Sequence, residues 1–388
     1  MNILLTLLLA GLTMVGPLAI DTYLPSFPAI ARDFGASAIA IQQTLSLFLF
    51  CFAFMMLFYG TLSDTFGRRP VILWSLVLYI AASVGGALAG SLGLLLVCRV
   101  LQGLASGAGS VVSRAIVQDR FEGASAQRIL GHIMMVFGLA PALAPILGGW
   151  LQVTYGWRSI FWFLTLFGVV MLLAVWRWLP ESLAPEKRHP FEVKPIAANY
   201  LRVLRDRRFL LLAVALGVAF GGFALYIGSA AYFIINILHL PETAFGWLFI
   251  PLVAGMVVGS PLSGKLAHRY SQAQLVWYSY AGMAVAALAN VAYTHFFTAA
   301  VPWAVLPLFF YSLALAVAMP PLSLLALNLF PHNSGLAASL QSFIQMTLFA
   351  LVSGLVAPLL FDSAFKLACG VLGCLVVSLL AWVLAQRH

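Results

Sequence analysis

Long apolar stretches alternate with short polar or glycine- and proline-containing segments along the whole chain. Because an α-helix needs about 20 apolar residues to cross roughly 30 Å of hydrocarbon, each stretch of that length predicts one membrane-spanning helix. The pattern predicts twelve spans, at residues 3–28, 40–63, 70–89, 92–117, 127–152, 159–179, 209–235, 243–265, 274–294, 301–327, 334–358 and 364–386. The predicted fold class is therefore an all-α integral membrane protein.

The longest polar stretch lies between the sixth and seventh spans and separates the helices into two sets of six. It contains four prolines and a cluster of basic side chains, which is typical of a linker. The sequence therefore predicts an amino-terminal six-helix bundle at 1–179, a cytoplasmic linker at 180–208 and a carboxyl-terminal six-helix bundle at 209–388. The Gly-x-Leu that ends the second span recurs at the end of the eighth, which indicates two pseudo-symmetric repeats.

The composition agrees with a lipid environment. Of the 388 residues, 63% are hydrophobic and 8% are charged, too few charges to cover a water-soluble globule of this size. The net charge of +9 would elsewhere suggest a nucleic-acid partner, but the basic residues concentrate in loops on one side. With a cytoplasmic amino terminus, fifteen Lys and Arg lie in inside loops and only Arg32, Arg158 and Lys366 lie outside. This asymmetry predicts a multi-pass inner-membrane protein with both termini cytoplasmic and no nucleic-acid partner.

Residue patterns for catalysis or metal binding are missing from the sequence. The four cysteines lie inside apolar runs without a Cys-x-x-Cys pair, no phosphate-binding Gly-x-x-x-x-Gly-Lys-Ser/Thr loop occurs, and no Ser-His-Asp order is found. We therefore expect no enzyme activity, no metal and no cofactor, and a transport process driven by an ion gradient.

Two ionisable residues lie deep in predicted spans: Asp21 in the first and Arg99 in the fourth. At 1.5 Å per residue, Asp21 lies roughly 14 Å below the outer end of its span and Arg99 about 12 Å below its own. We expect the two to form an ion pair that protonation of Asp21 breaks, since a buried carboxyl group responds to both burial and a nearby cation. The alternative is a permanent ion pair that only fixes helix packing.

The loop after the second span has the sequence GTLSDTFGRR at residues 60–69, which resembles the signature loop of the major facilitator superfamily. In that family the aspartate helps to hold the outward-open state. The resemblance implies the twelve-helix major facilitator fold and a conformational latch; its predicted members are Gly60, Asp64, Gly67, Arg68, Arg69 and Arg114. We expect the glycine at 60 to permit close helix approach, the arginines at 68 and 69 to face anionic headgroups, and the arginine at 114 to pair with the aspartate. A simple helix cap at the aspartate is the alternative.

Two further segments resemble the bicyclomycin/chloramphenicol-resistance branch of drug:proton antiporters. Residues 21–28 in the first span, DTYLPSFP, resemble the opening motif of that branch. The fifth span contains GLAPALAPILGG at 138–149, which is similar to the motif of antiporters in this superfamily. By this resemblance Asp21 carries the proton, Arg99 modulates its affinity, and the antiporter motif seals the path against leak. The motif residues concerned are Gly138, Pro141, Pro145, Gly148 and Gly149.

Polar and aromatic residues on otherwise apolar helices are candidates for a substrate cavity, because a weakly selective site needs π-faces and a few hydrogen-bonding groups. Two glutamines of the eleventh span, at positions 341 and 345, are four residues apart and share one helix face. Interhelical hydrogen bonding is the alternative for the glutamines, and interfacial anchoring for the tyrosines. The predicted cavity residues are Tyr23, Tyr226, Tyr311, Gln341 and Gln345.

The sequence thus predicts a monomeric, proton-coupled multidrug efflux antiporter that works by alternating access. Its partners are small amphiphilic drugs, protons and the lipid bilayer. One alternative is a proton-coupled exporter or symporter of a metabolite such as a sugar, nucleoside or amino acid. A second alternative is a membrane sensor or scaffold that transports nothing.

Overall fold

The structure, a computed structural model, describes residues 3–121, 123–188, 193–330 and 334–387. The chain divides into two compact units, Met1–Glu192 and Val193–His388. The regular structure throughout the described ranges is helical. The division between the units falls inside the polar stretch between the sixth and seventh spans.

In the first unit, the predicted first and fourth spans each consist of two helices. The first span breaks after Asp21, continues through a 3₁₀ turn (Leu24–Ser26) and resumes at Phe27, because Pro25 and Pro28 lack the N–H that an uninterrupted helix needs. It extends to Phe34, so the predicted end at 28 is wrong. The helices are α1 (Ile3–Asp21), α2 (Phe27–Phe34), α3 (Ala38–Phe66), α4 (Arg68–Ala87), α5 (Leu92–Ser106), α6 (Ala108–Arg120), α7 (Gly123–Tyr155) and α8 (Arg158–Trp178).

In the second unit, the seventh and eleventh spans contain π-helical turns, at Phe233–Ile237 and Val352–Val356. The tenth span begins at Leu306 rather than at 301, since Pro307 fits the first turn of a helix. The helices are α9 (Val193–Leu204), α10 (Arg207–Gly228), α11 (Ala230–Tyr232), α12 (Gly246–Leu266), α13 (Gln272–Phe296), α14 (Leu306–Leu327), α15 (Ser334–Leu351), α16 (Ala357–Leu360) and α17 (Ala364–Arg387).

The helices are long and apolar enough for a multi-pass membrane protein. Within the described residues, 11 helical segments have the length and composition to cross a bilayer. Helix α7, with 33 residues, also has the necessary length, although part of its side chains lies outside the described residues. With α7 included, each unit contributes six spans.

Glycines allow the helices of each unit to approach closely. In the second unit, a Cβ at Gly255 or Gly259 of α12 would overlap backbone oxygens of α14. In the first unit, a Cβ at Gly148 of α7 would overlap the carbonyl oxygen of Thr22, at the break that follows α1. These small-residue contacts are the packing that lipid-embedded helices use, since hydrocarbon offers no hydrophobic drive for helix association.

Substitution of Gly148 by Ala tests the contact between α7 and the break after α1. We expect Gly148→Ala to lower the stability of the purified protein by about 1–3 kcal/mol, because the added methyl group has no space. The apparent melting temperature in detergent measures this. The matched control is Gly264→Ala, since nothing lies within 4 Å of a Cβ at Gly264. Equal melting temperatures for the two variants would contradict the close contact.

Candidate functional site

Asp21 is the last residue of α1 and is 4% exposed. Within the described residues its carboxyl group has neither a hydrogen bond nor an ion pair. The helix break that follows places Thr22, one residue later, directly against Gly148 of α7. Asp21 therefore lies at the point where the first span bends and the fifth span packs.

Arg99 of α5 is the largest fully buried side chain described, at 0% exposed. Its Nη1 donates to the carbonyl oxygen of Ala19 at 3.0 Å and to Oε1 of Gln102 at 2.9 Å. The guanidinium lies 4.4 Å from the ring centre of Tyr23 and 4.3 Å from that of Phe48. Because Ala19 is near the carboxyl end of α1, its carbonyl belongs to the negative end of the helix dipole. Arg99 is thus stabilised by a helix end and two aromatic faces.

The predicted ion pair between Asp21 and Arg99 is not formed in the described structure. The reason is that Nη1 of Arg99 bonds to Ala19 and Gln102, and aromatic rings cover the guanidinium. Its Nε and Nη2 are buried and have no partner among the described residues, and the same holds for the hydroxyl of Tyr79. Nε and Nη2 form one edge of the guanidinium, which matches the two oxygens of a carboxylate.

The neighbours of Arg99 are themselves held by hydrogen bonds. Nε2 of Gln102 donates to Oγ of Ser83 at 2.8 Å. The hydroxyl of Tyr23 shares a hydrogen bond of 2.8 Å with Oγ1 of Thr44. Tyr23, predicted to line a substrate cavity, is therefore fully buried beside Arg99. No sequence pattern singles out Tyr79 or Phe48, because the chain contains 12 Tyr and 29 Phe.

The antiporter-motif residues lie on α7, which continues as a helix through Pro141 and Pro145. Gly148 and Gly149 are both buried. Oγ of Ser26 donates to Oε1 of Gln152 at 3.3 Å, so α7 also bonds to the 3₁₀ turn of the first span. The surroundings of Gly138 lie outside the described residues. The motif is thus packed along the bend that carries Asp21.

Arg68 is the centre of the predicted latch. Its Nη1 donates to Oδ1 of Asp64 and to Oγ of Ser63, both at 2.6 Å, and its Nε donates to Oδ2 of Asp119 at 3.0 Å. Gly67, with φ of 98°, makes the turn between α3 and α4 that returns Arg68 beneath the end of α3. The network joins α3, α4 and α6.

Three expectations for the latch need correction. Arg68 is 7% exposed, so it does not face lipid headgroups; its hydrogen bonds inside the unit exclude that position. Asp64 pairs with Arg68 rather than with Arg114, which is exposed on α6 and has no partner within the described ranges. Gly60 has open space where a Cβ would point, so no close helix approach occurs there.

Glu181, at the start of the linker, completes this network and was not identified from the sequence. Its carboxylate accepts hydrogen bonds from the backbone N–H groups of Arg68 at 3.0 Å and Arg69 at 3.2 Å, which satisfies the first turn of α4. The same carboxylate accepts from the N–H groups of Ser182 and Leu183. The contact joins residues more than 100 positions apart, and local spacing carries no signal of it.

The predicted cavity residues of the second unit take part in hydrogen bonds between helices. The hydroxyl of Tyr226 accepts from Nδ2 of Asn290 at 3.0 Å, and that of Tyr311 donates to the carbonyl of Ala219 at 2.9 Å. Oε1 of Gln341 accepts from Oγ of Ser323 at 3.0 Å. Gln345, one turn further along α15, is half-buried. Contact of these residues with a substrate stays a prediction.

Comparison with known proteins identifies the family. The family model described as Major Facilitator Superfamily matches residues 9–357. The chain is 29% identical over 389 residues to the bicyclomycin resistance protein homolog of Haemophilus influenzae, covering 97% of this chain and 94% of that protein. It is 27% identical over 281 residues to multidrug resistance protein D of Escherichia coli, covering 72% and 69% of the two chains.

Among solved structures, that of the human organic anion transporter MFSD10 matches with a TM-score of 0.72 at 21% identity, and the match covers 99% of each chain. The chain therefore belongs to the Major Facilitator Superfamily, and the predicted all-α, twelve-helix membrane fold is confirmed.

Replacement of Glu181 by Gln tests the cap at the start of α4. We expect Glu181→Gln to weaken each hydrogen bond from the N–H groups of Arg68 and Arg69 by about 1 kcal/mol, the difference between a charged and a neutral acceptor. Hydrogen exchange at these two amides measures the change and should become faster. Glu186→Gln is the matched control, since Glu186 is an exposed carboxylate on the same linker. Unchanged exchange in Glu181→Gln would argue against the cap.

Proposed function

We propose that the protein is a monomeric, proton-coupled exporter of small amphiphilic drugs in the bacterial inner membrane, with both termini cytoplasmic. The two relatives compared above are named for resistance to bicyclomycin and to multiple drugs, and this supports drugs as the substrate class. The observation that carries proton coupling is a buried carboxyl group without a partner, Asp21, two residues after the Ala19 carbonyl that binds Arg99, a buried guanidinium with one free edge.

The first step of the argument concerns the charge on Asp21. Burial of an ionised carboxylate without a partner costs several kcal/mol, whereas a protonated carboxyl group is neutral. The packing described here suits the protonated form. Loss of the proton creates a charge that requires a cation or hydrogen-bond donors.

The second step concerns the partner for that charge. Nε and Nη2 of Arg99 offer two parallel donors, and the hydroxyl of Tyr79 is a third unpartnered group in the same helix bundle. Arg99 already bonds to Ala19, two residues before Asp21. A shift at the end of α1 would bring the carboxyl group of Asp21 to this edge. Asp21 would then release its proton and form an ion pair with Arg99.

The third step connects the proton to movement. Asp21 lies at the bend of the first span, and Gly148 of α7 packs against the next residue. Formation of the ion pair therefore moves the bend relative to the antiporter motif. One proton that moves down 100 mV supplies roughly 2.3 kcal/mol, enough to drive concentration of a drug. The network around Arg68 and Glu181 stabilises one of the two transport states.

The drug-export proposal is tested by a susceptibility and dye-efflux panel in a pump-deficient bacterium, with and without a protonophore. We expect resistance to several unrelated drugs, and we expect the protonophore to abolish it. Uptake of a single metabolite would instead favour a metabolite symporter. No flux of any compound after reconstitution would favour a sensor or scaffold.

Asp21→Asn tests the proton carrier. We expect efflux driven by a pH gradient to be lost in proteoliposomes, because the amide cannot release a proton, while drug exchange without a gradient continues. The matched control is Asp362→Asn, which neutralises an exposed aspartate paired with Lys366. Gradient-driven efflux that is unchanged in Asp21→Asn, with the protein inserted normally, would refute the assignment.

Arg99→Lys tests the free edge of the guanidinium. Lysine keeps the positive charge but has no planar pair of donors, so we expect a tenfold or greater loss of gradient-driven transport, about 1.4 kcal/mol or more. The number of protons released on drug binding, measured in detergent, should fall as well. Arg177→Lys, at an exposed position of α8, is the control. Full proton release in Arg99→Lys would contradict a role for the bidentate edge.

A further inference from the structure

A groove lies along the outer face of α4 where this helix begins, outside the site around Asp21. It encloses about 420 Å³. Its wall is apolar and follows one face of α4, and its rim carries charged side chains from α4 and the linker. The wall consists of Pro70, Leu73, Trp74 and Val77; the rim consists of Arg69, Arg188 and Glu181.

The rim has unused capacity to bind an anion. Nε of Arg69 and Nε of Arg188 are buried and have no partner in the described parts of the chain. Nη2 of Arg69 donates to the carbonyl of Trp176 at 2.6 Å, which fixes this side chain at the rim. Glu181 offsets one of the two positive charges, and both of its oxygens already accept backbone N–H groups. Two guanidinium groups thus face one carboxylate that is already hydrogen-bonded.

The wall of the groove is exposed along a helix that is long and apolar enough to span a membrane. Trp74 is 74% exposed although it lies in a membrane-spanning helix, and Val77, one turn further along, is 44% exposed. A tryptophan at this depth is typical of the boundary between headgroups and hydrocarbon. The groove therefore offers a basic end at the headgroup level and an apolar end in the hydrocarbon.

We propose that this groove binds an anionic phospholipid, with the phosphate between Arg69 and Arg188 and an acyl chain along Leu73, Trp74 and Val77. Arginine suits this role because its planar donors match phosphate oxygens. The apolar wall excludes a free phosphate ion as the preferred ligand, and the surplus of positive charge favours a lipid with net negative charge over a zwitterionic one. Because Arg69 lies in the first turn of α4, the bound lipid stabilises the cap that Glu181 forms.

The experiment measures lipid binding to the full-length protein in detergent by native mass spectrometry. Phosphatidylglycerol and phosphatidylethanolamine with identical acyl chains are titrated separately, and inorganic phosphate is added as a competitor. We expect phosphatidylglycerol to bind more tightly than phosphatidylethanolamine, and inorganic phosphate not to displace it. Equal affinities for the two lipids, or displacement by inorganic phosphate at equal concentration, would overturn the proposal.

Two pairs of variants locate the site. Arg188→Gln should lower the affinity for phosphatidylglycerol roughly fivefold, the contribution of one arginine beside an anionic headgroup, whereas Arg177→Gln should leave it unchanged. Trp74→Ala should weaken the binding of both lipids, and Trp162→Ala, at a 48% exposed position of α8, should not. An equal loss in Arg188→Gln and Arg177→Gln would overturn the assignment of the phosphate to this rim.

Discussion

A charged group in the hydrocarbon region must be compensated inside the protein, and the first unit is organised around this constraint. Arg99 has no carboxylate beside it in the described structure. Its compensation comes from the carbonyl of Ala19 at the end of α1, from Gln102, and from the rings of Tyr23 and Phe48. The break in the first span is therefore part of the electrostatic environment, since only a helix end exposes carbonyl oxygens in this way. Asp21 lies at that same end.

The network at the start of α4 follows the same principle with more charges. Arg68 is nearly fully buried and bonds to Asp64, Ser63 and Asp119, whereas Glu181 satisfies the backbone N–H groups of the helix. Removal of one member would leave a buried charge or an unpaired N–H group, which costs more than an ordinary surface ion pair contributes. Helices α3, α4 and α6 and the first residues of the linker are held together by these contacts.

Several residues of the candidate site could be identified from the sequence, but their partners could not. Asp21, Arg99 and the segment from Gly60 to Arg69 stand out because charge is rare in apolar runs or because the motif is specific. Tyr79 and Asn290 carry no such signal, since tyrosine and asparagine are common near span ends and in loops. Glu181 was also missed, because its contacts with Arg68 and Arg69 depend on how α4 and the linker meet. The predicted Asp21–Arg99 pair is not formed in the described structure, and Asp64 pairs with Arg68 rather than with Arg114. The reason is the same: depth in a span or family resemblance suggests which residues could meet, not which hydrogen bonds form.

The sequence by itself determined the spans and their grouping into two sets of six, because the length of an apolar run and the thickness of a bilayer are sufficient to define a membrane helix. It also determined which ionisable residues enter the membrane. Only the tertiary structure decided which edge of the Arg99 guanidinium stays free, which side chain binds Asp64 and where the first span bends against Gly148. These outcomes depend on the approach of helices that are distant in the chain, to within a fraction of an ångström, and no local pattern of residues encodes that approach.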